Sequence, residues 1–151
     1  MAISMYGEVV LPADKSVVWE KLNDPETLKR SIPGCQSLEK TSETSFAATA
    51  KIKIGPVSAT FRGSVNLSDF DPPNGYRIQG EGEGGVAGYA KGGATVRLAE
   101  SSPGTTKLSY DVEAQIGGKL AQLGARLIDS VAKKIADEFF AKFADAVKGD
   151  A

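Results

Sequence analysis

The chain contains no histidine and a single cysteine, Cys35. Without histidine, it lacks the side chain that most often acts as a general base and as a transition-metal ligand. A lone cysteine forms no intrachain disulfide and no thiolate metal site. Cys35 also has no histidine to activate it, so we expect a small core residue and not a nucleophile.

Long apolar runs and an excess of one charge are also missing. No stretch approaches the ~18 consecutive apolar residues of a membrane-spanning helix. The 18 lysines and arginines nearly balance the 19 aspartates and glutamates, and nucleic acid is therefore not an expected partner. The length of 151 residues predicts one domain, 1–151. The expected compartment is the reducing cytoplasm.

The longest regular pattern is helical and extends over residues 117–147. Apolar residues recur on one side of this helix, and charged residues occupy the other. The apolar side carries Leu120, Gly124, Leu127, Ile128, Val131, Ile135 and Phe139. So wide an apolar stripe predicts a helix that covers a broad apolar surface elsewhere in the chain.

Alternating apolar and polar residues predict strands through most of the remaining sequence. The first strand, 3–11, is followed by two short helices, one capped by Asp14 and the other opened by Asp24 and Pro25. Further strands are predicted at 36–40, 44–54, 57–67, 76–84, 90–98 and 106–116. The fold class is α+β, with a seven-stranded antiparallel sheet, two short helices after strand 1 and a long C-terminal helix.

Small residues occupy many inward positions near one end of the predicted sheet. They are Ala48, Ala50, Ala59, Gly63, Gly80, Gly82, Gly84, Gly92, Ala94 and Ala114. Each strand glycine costs about 0.5–1 kcal/mol relative to alanine, so something must offset the cost. Either these residues let the sheet bend, or the missing side chains leave a cavity under the helix. The two interpretations are compatible, because a more strongly bent sheet has a deeper concave face.

The predicted wall of such a cavity is uncharged. On this alternation no charged side chain of the meander strands points inward, and the hydroxyls of Tyr76 and Tyr110 are the polar groups offered, with Tyr89 at a rim. A wall of this kind favours a lipid-like or aromatic ligand and is poorly suited to acid–base chemistry.

Three turns should lie together beside the start of the long helix, because alternate hairpins of a meander share one end. They are Gly55-Pro56, the glycine-rich loop 84–90 and Gly117-Gly118. This end is the expected mouth of the cavity. The loop is either a plain turn or a contact for a ligand, a partner or a membrane surface.

Sequence motifs over nearly the whole chain resemble one known family. They are Val18-Trp19, Leu22-Asn23-Asp24-Pro25-Glu26, Ile32-Pro33-Gly34-Cys35, Lys53-Ile54-Gly55-Pro56-Val57, Phe61-Arg62-Gly63, the stretch 82–92, Gly117-Gly118-Lys119-Leu120-Ala121-Gln122-Leu123-Gly124 and Phe139-Phe140. With these motifs the chain resembles the family of the carbon monoxide dehydrogenase G subunit, within the START-like helix-grip superfamily. The resemblance implies a helix-grip fold, in which the sheet wraps around the C-terminal helix.

The resemblance also implies a non-catalytic accessory protein. Members are associated with molybdenum hydroxylases, and they are linked to recruitment of that enzyme to the membrane and to an apolar ligand such as a quinone or lipid. No intrinsic cofactor is implied. Longer members carry a C-terminal extension thought to contact the membrane. This sequence stops at Ala151, so the expectation is peripheral contact with the inner membrane face without that extension.

The ligand is expected near the N-terminal end of the long helix. The candidate ligand-binding residues are Phe61, Gly63, Gly80, Gly82, Tyr89, Gly92, Tyr110, Leu120, Leu123, Gly124, Leu127 and Ile128. No catalytic or metal-binding residue is predicted. The larger Ile135, Phe139 and Phe143 are expected in packed core, and the last turns of the helix should mainly hold the fold together.

Two other functions remain open from the sequence. One is a protein-interaction adaptor whose core is filled. The other is an enzyme of the cyclase or dehydratase kind found in the same superfamily, which requires a titratable group in the cavity. Exposure of Glu81, Glu83, Asp111 and Glu113 to solvent would argue against such an enzyme.

Overall fold

The computed structural model describes residues 1–149 as one sheet with helices on one side. The strands are β1 (Ala2–Leu11), β2 (Cys35–Ser42), β3 (Ser45–Ile54), β4 (Val57–Asp71), β5 (Gly75–Glu83), β6 (Tyr89–Ser102) and β7 (Thr105–Gly117). The helices are α1 (Lys15–Leu22), α2 (Pro25–Ser31), α3 (Lys119–Gln122) and α4 (Ala125–Gly149), with a 3-10 turn at Gly85–Ala87.

The sheet is an antiparallel meander with the first strand added beside the last. Its order is β1-β7-β6-β5-β4-β3-β2, which confirms the predicted seven-stranded sheet and α+β class. The register places small inward residues opposite one another, with Gly63 across from Ala48 and from Gly82. Gly80 lies between Val65 and Gly92 in the same way. The small positions therefore form rows that cross the strands.

Helix α2 begins as its sequence predicts. Asp24 precedes Pro25, and one carboxylate oxygen accepts hydrogen bonds from the backbone N–H of Thr27, at 3.3 Å, and from its hydroxyl, at 2.6 Å. Ser31 donates its hydroxyl to the Thr27 carbonyl, one helical turn earlier, at 2.7 Å. Asp14 also precedes its helix, but its side chain caps no backbone N–H group, so the predicted cap is wrong in that detail.

The prediction of one uninterrupted helix over 117–147 is wrong at its start. Gly117 belongs to β7, α3 is a single turn, and the chain then breaks at Gly124 before α4 begins. Gly124 has φ +90°, a conformation that glycine adopts without the steric cost of a side chain. The apolar periodicity continues through the break because both helices cover the same sheet, and periodicity alone did not reveal it.

Two separate clusters of buried residues hold the helices against the sheet. The first includes Leu11, Val18, Leu108, Phe143 and Val147, and it joins the last turns of α4 to β1, α1 and β7. Phe143 and Val147 are both 0% exposed, which confirms that the end of the helix holds the fold together. The second cluster is built on Ile116, Leu120 and Ile128, at the opposite end of the helical layer.

We expect the valine substitution Thr27→Val to destabilise the protein in a pH-dependent way. The Thr27 hydroxyl is the main cause that lowers the pKa of Asp24 below its ordinary value. A carboxyl whose folded-state pKa is depressed contributes stability above its unfolded pKa, near 3.9, and loses it as the pH falls through the folded value. The free energy of unfolding should therefore drop by about 1 kcal/mol at pH 7 and by less near pH 2.

Urea unfolding at both pH values measures this effect. Ser31→Ala is the matched control, because it removes a neighbouring buried hydroxyl that donates to a backbone carbonyl and not to a carboxylate. Its cost should be the same at both pH values. A Thr27→Val cost that does not change with pH would contradict the assigned coupling.

Candidate functional site

A cavity of about 370 Å³ lies between the inner face of the sheet and the middle of α4. The sheet contributes Phe46, Val65, Ile78, Ala94, Val112 and other apolar side chains, and α2 contributes Leu28. The helix contributes Ala132, Ile135, Ala136, Phe139 and Phe140. The cavity adjoins the first buried cluster, because Leu22, Phe46, Leu67, Tyr76, Val96 and Leu108 belong to that cluster and also line the cavity.

No aspartate, glutamate, lysine or arginine is among the described residues that line this cavity. Tyr76 and Tyr110 are among its lining residues, as the sequence predicted, and the surface of the wall is almost entirely apolar. Tyr76 donates to the backbone carbonyl of Leu22 at 3.3 Å, and burial raises the pKa of this hydroxyl far above its ordinary value. It stays neutral at physiological pH and is already hydrogen-bonded.

Tyr110 lies at the β1 side of the cavity. Its ring stacks on Phe140, with ring centroids 5.2 Å apart, and extends across Gly7, where a Cβ atom would come within 2.5 Å of the Tyr110 oxygen. Gly7 is therefore required for the ring to take this position. Burial raises the pKa of Tyr110, and the negative charge of Asp137 adds to the shift. The hydroxyl stays protonated near neutral pH, so it can donate a hydrogen bond but carries no charge.

The four acids of the strands β5 and β7 lie outside the cavity. Glu81, Glu83, Asp111 and Glu113 are all exposed on the outer face of the sheet. Glu113 forms an ion pair there with Arg77. The sheet thus offers the cavity no carboxylate for acid–base chemistry, and burial of apolar surface is what the arrangement can supply.

The structure brings one of the twelve predicted ligand-binding residues, Tyr110, to the cavity. Leu120, Ile128, Phe61 and Leu123 belong to the second buried cluster, and Leu127 contacts Gly55. Gly124 forms the break before α4. The remaining five border two open depressions that also carry outward-facing polar residues of the sheet: Gly63, Gly82 and Tyr89 in one, and Gly80 and Gly92 in the other.

The predicted position of the cavity is therefore corrected from the start of the helical layer to the middle of α4. The small sheet residues near the start are complemented by large ones, since Phe61, Leu120 and Ile128 fill the space that alanine and glycine leave. Ile135, expected in packed core, lines the cavity, and Phe139 both packs against the first buried cluster, as expected, and lines the cavity. Actual ligand contacts at the twelve residues remain predictions.

The sequence of the middle of α4 contains a signal for the position of the cavity that the sequence analysis did not use. Ala132 and Ala136 are one helical turn apart and both face the cavity, as Ala94 does from β6. Where both the sheet and the helix carry small residues, a space remains between them. Where only the sheet does, large helix side chains occupy the space. Pairing the two layers position by position could have located the cavity.

Several inward glycines are explained by bending of the sheet. A Cβ atom on Gly63 would lie 2.3 Å from the Glu81 carbonyl oxygen, and one on Gly92 would lie 2.1 Å from that of Glu113. These glycines allow neighbouring strands to approach closely. Gly82 differs, because a Cβ atom there would meet only the Arg62 carbonyl oxygen, at 3.9 Å.

The three turns predicted to lie together do so. A Cβ atom on Gly88 would lie 2.1 Å from the Gly117 carbonyl oxygen, and Gly55 approaches Leu127 at the start of α4. They surround the second buried cluster, so the predicted mouth at this end is corrected to a packed end. Val86 and Tyr89 extend outward here and are 85% and 52% exposed.

Cys35 does not provide a reactive thiol. Cys35 is half-buried, its thiol donates to the Ser37 carbonyl at 3.3 Å, and burial raises its pKa, which disfavours a reactive thiolate. Within residues 1–149, no cluster of three or more His, Cys, Asp and Glu side chains could hold a metal ion. In the same part of the chain, no helix combines the length and the apolar character needed to span a bilayer.

Comparison with known proteins gives one family match and many related folds. The sequence profile of the carbon monoxide dehydrogenase G subunit (CoxG) matches residues 7–148. A conserved protein from Geobacillus kaustophilus is 31% identical, with a TM-score of 0.92 over 97% of this chain and 96% of its own. No curated protein sequence matches the chain.

Two more distant structures share the fold alone. A START superfamily protein from Mycobacterium smegmatis is 11% identical, with a TM-score of 0.75 over 98% of this chain and 99% of its own. The Zhui aromatase/cyclase from Streptomyces sp. R1128 is 12% identical, with a TM-score of 0.72 over 98% of this chain and 94% of its own. These neighbours confirm the START-like helix-grip fold.

We expect the cavity to accept a larger side chain from α4 without loss of stability. In Ala136→Leu the added methyl and methylene groups enter empty apolar space, so the free energy of unfolding should stay the same or rise by about 1 kcal/mol. The same change at Ala13, which lies in the first buried cluster, should cost about 1–3 kcal/mol through overpacking. Urea unfolding of the two variants gives the comparison, and an equal loss in both would show that the space under α4 is not available.

Proposed function

The chain belongs to the CoxG family, that of the carbon monoxide dehydrogenase G subunit, and from this premise we propose that it is an accessory protein that binds an apolar small molecule. The binding site is the cavity under the middle of α4. A quinone or a lipid is the ligand class that this site would hold.

The observation that carries the proposal is the uncharged wall of the cavity. Its volume of about 370 Å³ lies within the range of roughly 300–1,000 Å³ that small-molecule sites occupy. Aliphatic and aromatic side chains would bind a ligand mainly through removal of apolar surface from water. The Tyr110 hydroxyl, which stays protonated, could donate a hydrogen bond to a quinone carbonyl.

The cavity also separates this proposal from the two other functions considered. A pure adaptor needs no space in its core, whereas here Phe46 and Tyr110 border a hollow and do not fill it. A cyclase or dehydratase would need a titratable group at its substrate, and the acids of β5 and β7 are on the other face of the sheet. The aromatase/cyclase neighbour shares the fold at 12% identity and carries no further argument.

The proposed partner is a molybdenum hydroxylase of the carbon monoxide dehydrogenase type. This part of the proposal is supported by the family alone, through the enzyme after which the family is called. A cytoplasmic location, with peripheral contact at the inner face of the membrane, goes with it. In this role the protein would keep the apolar molecule out of water while the protein is associated with the hydroxylase.

Native mass spectrometry with short-chain menaquinone and ubiquinone analogues tests ligand binding. We expect a one-to-one complex with the wild-type protein. In Ala136→Phe the ring occupies the cavity, so affinity should fall by at least about tenfold. Ala141→Phe is the matched control, because it makes the same change on an exposed position of the same helix and should bind as the wild type does.

A cavity that binds neither quinones nor lipids would contradict the proposed function. Equal loss of binding in the Ala136 and Ala141 variants would show that the ligand is held somewhere other than under α4. Thermal unfolding of both variants checks that they are folded.

The partner is tested by co-purification from cells that express a carbon monoxide dehydrogenase-type hydroxylase. Tagged wild-type protein should retain the hydroxylase subunits, identified by mass spectrometry. If recruitment depends on the bound ligand, Ala136→Phe should retain less of them than Ala141→Phe. Equal retention would indicate an adaptor role that does not use the cavity, and no retention by the wild type would contradict the partner.

A further inference from the structure

Strand β1 forms one edge of the sheet, and half of its backbone groups have no partner. The sheet order places β7 on one side of β1 and no strand on the other. Met1 exchanges two backbone hydrogen bonds with Ile116, at 2.7 and 3.0 Å. Because bonded pairs recur every two residues of an antiparallel ladder, the odd-numbered residues of β1 bond to β7 and the even-numbered ones face the free edge. Within residues 1–149, no hydrogen bond from another segment engages the backbone groups at this edge.

The opposite edge of the sheet is protected, whereas β1 is not. An exposed strand edge can pair with another chain, and proteins usually block such edges with short or bulged strands, proline or charge. Strand β2 has eight residues, two register shifts and the exposed charges of Glu39 and Lys40. Strand β1 has ten residues in unbroken register, no proline, and Glu8 as its one charge. An unblocked edge of this length indicates a surface for strand pairing.

The side chains along this edge are exposed on the outer face of the sheet. Tyr6 is 84% exposed and Val10 is 56% exposed, so two large apolar groups lie in water. The remaining outward positions of β1 are exposed as well: Ala2, Ser4 and Glu8. Glu8 forms an ion pair with Lys107 of β7 at 3.3 Å, which offsets its charge. The edge therefore presents little net charge to a strand that approaches it.

We infer that β1 pairs with β1 of a second copy of this chain, antiparallel and across a two-fold axis at Tyr6. One register pairs all the even-numbered residues, with Tyr6 opposite Tyr6, Ser4 opposite Glu8 and Ala2 opposite Val10. Each of the five residues offers one N–H and one C=O, so this register forms about ten backbone hydrogen bonds, a number typical of specific interfaces. A shift by two residues in either direction loses one of the pairs. The two seven-stranded sheets become continuous.

The pattern of side chains on β1 is complementary to itself in this register. On the outer face the two Tyr6 rings are neighbours, the Ser4 hydroxyl can donate to the Glu8 carboxylate, and no acid lies opposite an acid. On the inner face Ile3 lies opposite Val9, so apolar residues continue from one copy to the other. This self-complementarity favours a second copy over an unrelated strand. The inference does not depend on the proposed ligand.

Two lysine substitutions on the same edge test the register, because they should have opposite effects. Tyr6→Lys removes the ring contact and places two positive charges opposite each other across the axis, so the dimer should weaken at least about tenfold. Ser4→Lys is the matched control, because its lysine lies opposite Glu8 of the other copy and should tighten the dimer about two- to fivefold. Sedimentation equilibrium over a range of concentrations measures the dissociation constant of the dimer against the 15.8 kDa monomer.

Cysteine substitutions locate the axis independently. Tyr6→Cys brings two thiols together across a bonded pair with a Cα separation of about 5.5 Å, which a disulfide can span. Mild oxidation should therefore give a covalent dimer on a non-reducing gel. Ser4→Cys places its thiol about 14 Å from the equivalent thiol of the other copy, so it should stay monomeric on the gel. The wild type, in which Cys35 is the single cysteine, gives the baseline.

The outcomes separate this inference from the proposed function, because neither Ser4 nor Tyr6 lines the cavity. A wild-type protein that stays monomeric at millimolar concentration would overturn the dimer and leave the ligand site intact. Equal weakening by both lysines, or equal cross-linking by both cysteines, would overturn the axis at Tyr6. A monomeric wild type whose retention of the hydroxylase is lost in Tyr6→Lys would assign the edge to that enzyme and overturn the second copy. Thermal unfolding checks that each variant is folded.

Discussion

The structure depends on the attachment of the two ends of α4 to the sheet, with a cavity between the sheet and the turns of α4 that carry Ala132 and Ala136. Phe143 and Val147 fix its last turns, and Ile128, with Leu120 of the preceding turn, fixes the beginning. Between these attachments the helix is continuous, and its small residues Ala132 and Ala136 leave space against the sheet. A cavity in a small domain would otherwise be lost by collapse of the surrounding side chains.

The cavity is thermodynamically unfavourable for the empty protein. The side chains that line it lack the contacts that close packing would supply on one side. The two buried clusters must offset this loss. A bound apolar molecule would restore those contacts, and it would stabilise the folded state by mass action. Instability of the empty form and affinity for a ligand then have the same physical origin.

The fold could be predicted from sequence because its signals are local to single elements. Strand alternation, the Asp24-Pro25 helix start and the periodicity of the helix each involve residues close in the chain. The break at Gly124 was missed because one glycine within an apolar stripe is compatible with either a continuous or a broken helix. The two cases differ in the φ of Gly124, which is +90° and is not encoded in the apolar pattern.

The chemical character of the site could be predicted, but its position could not. An uncharged inward face follows from the alternation of each strand, and the structure confirms it. Where the hollow lies depends on the difference in volume between two layers that are far apart in sequence. Leu120 and Ile128 fill one region of small sheet residues, whereas Ala132 and Ala136 leave another empty.

Part of the cavity wall lies outside the clusters that hold the fold, and this has an evolutionary consequence. Ala94, Val112, Ala132 and Ala136 line the cavity but belong to neither buried cluster. Substitutions at these positions would change the shape of the cavity while the attachments of α4 stay the same. Selection for a new ligand could therefore act on a small set of sites without a large loss of stability. Proteins with the same fold could in this way come to bind different ligands.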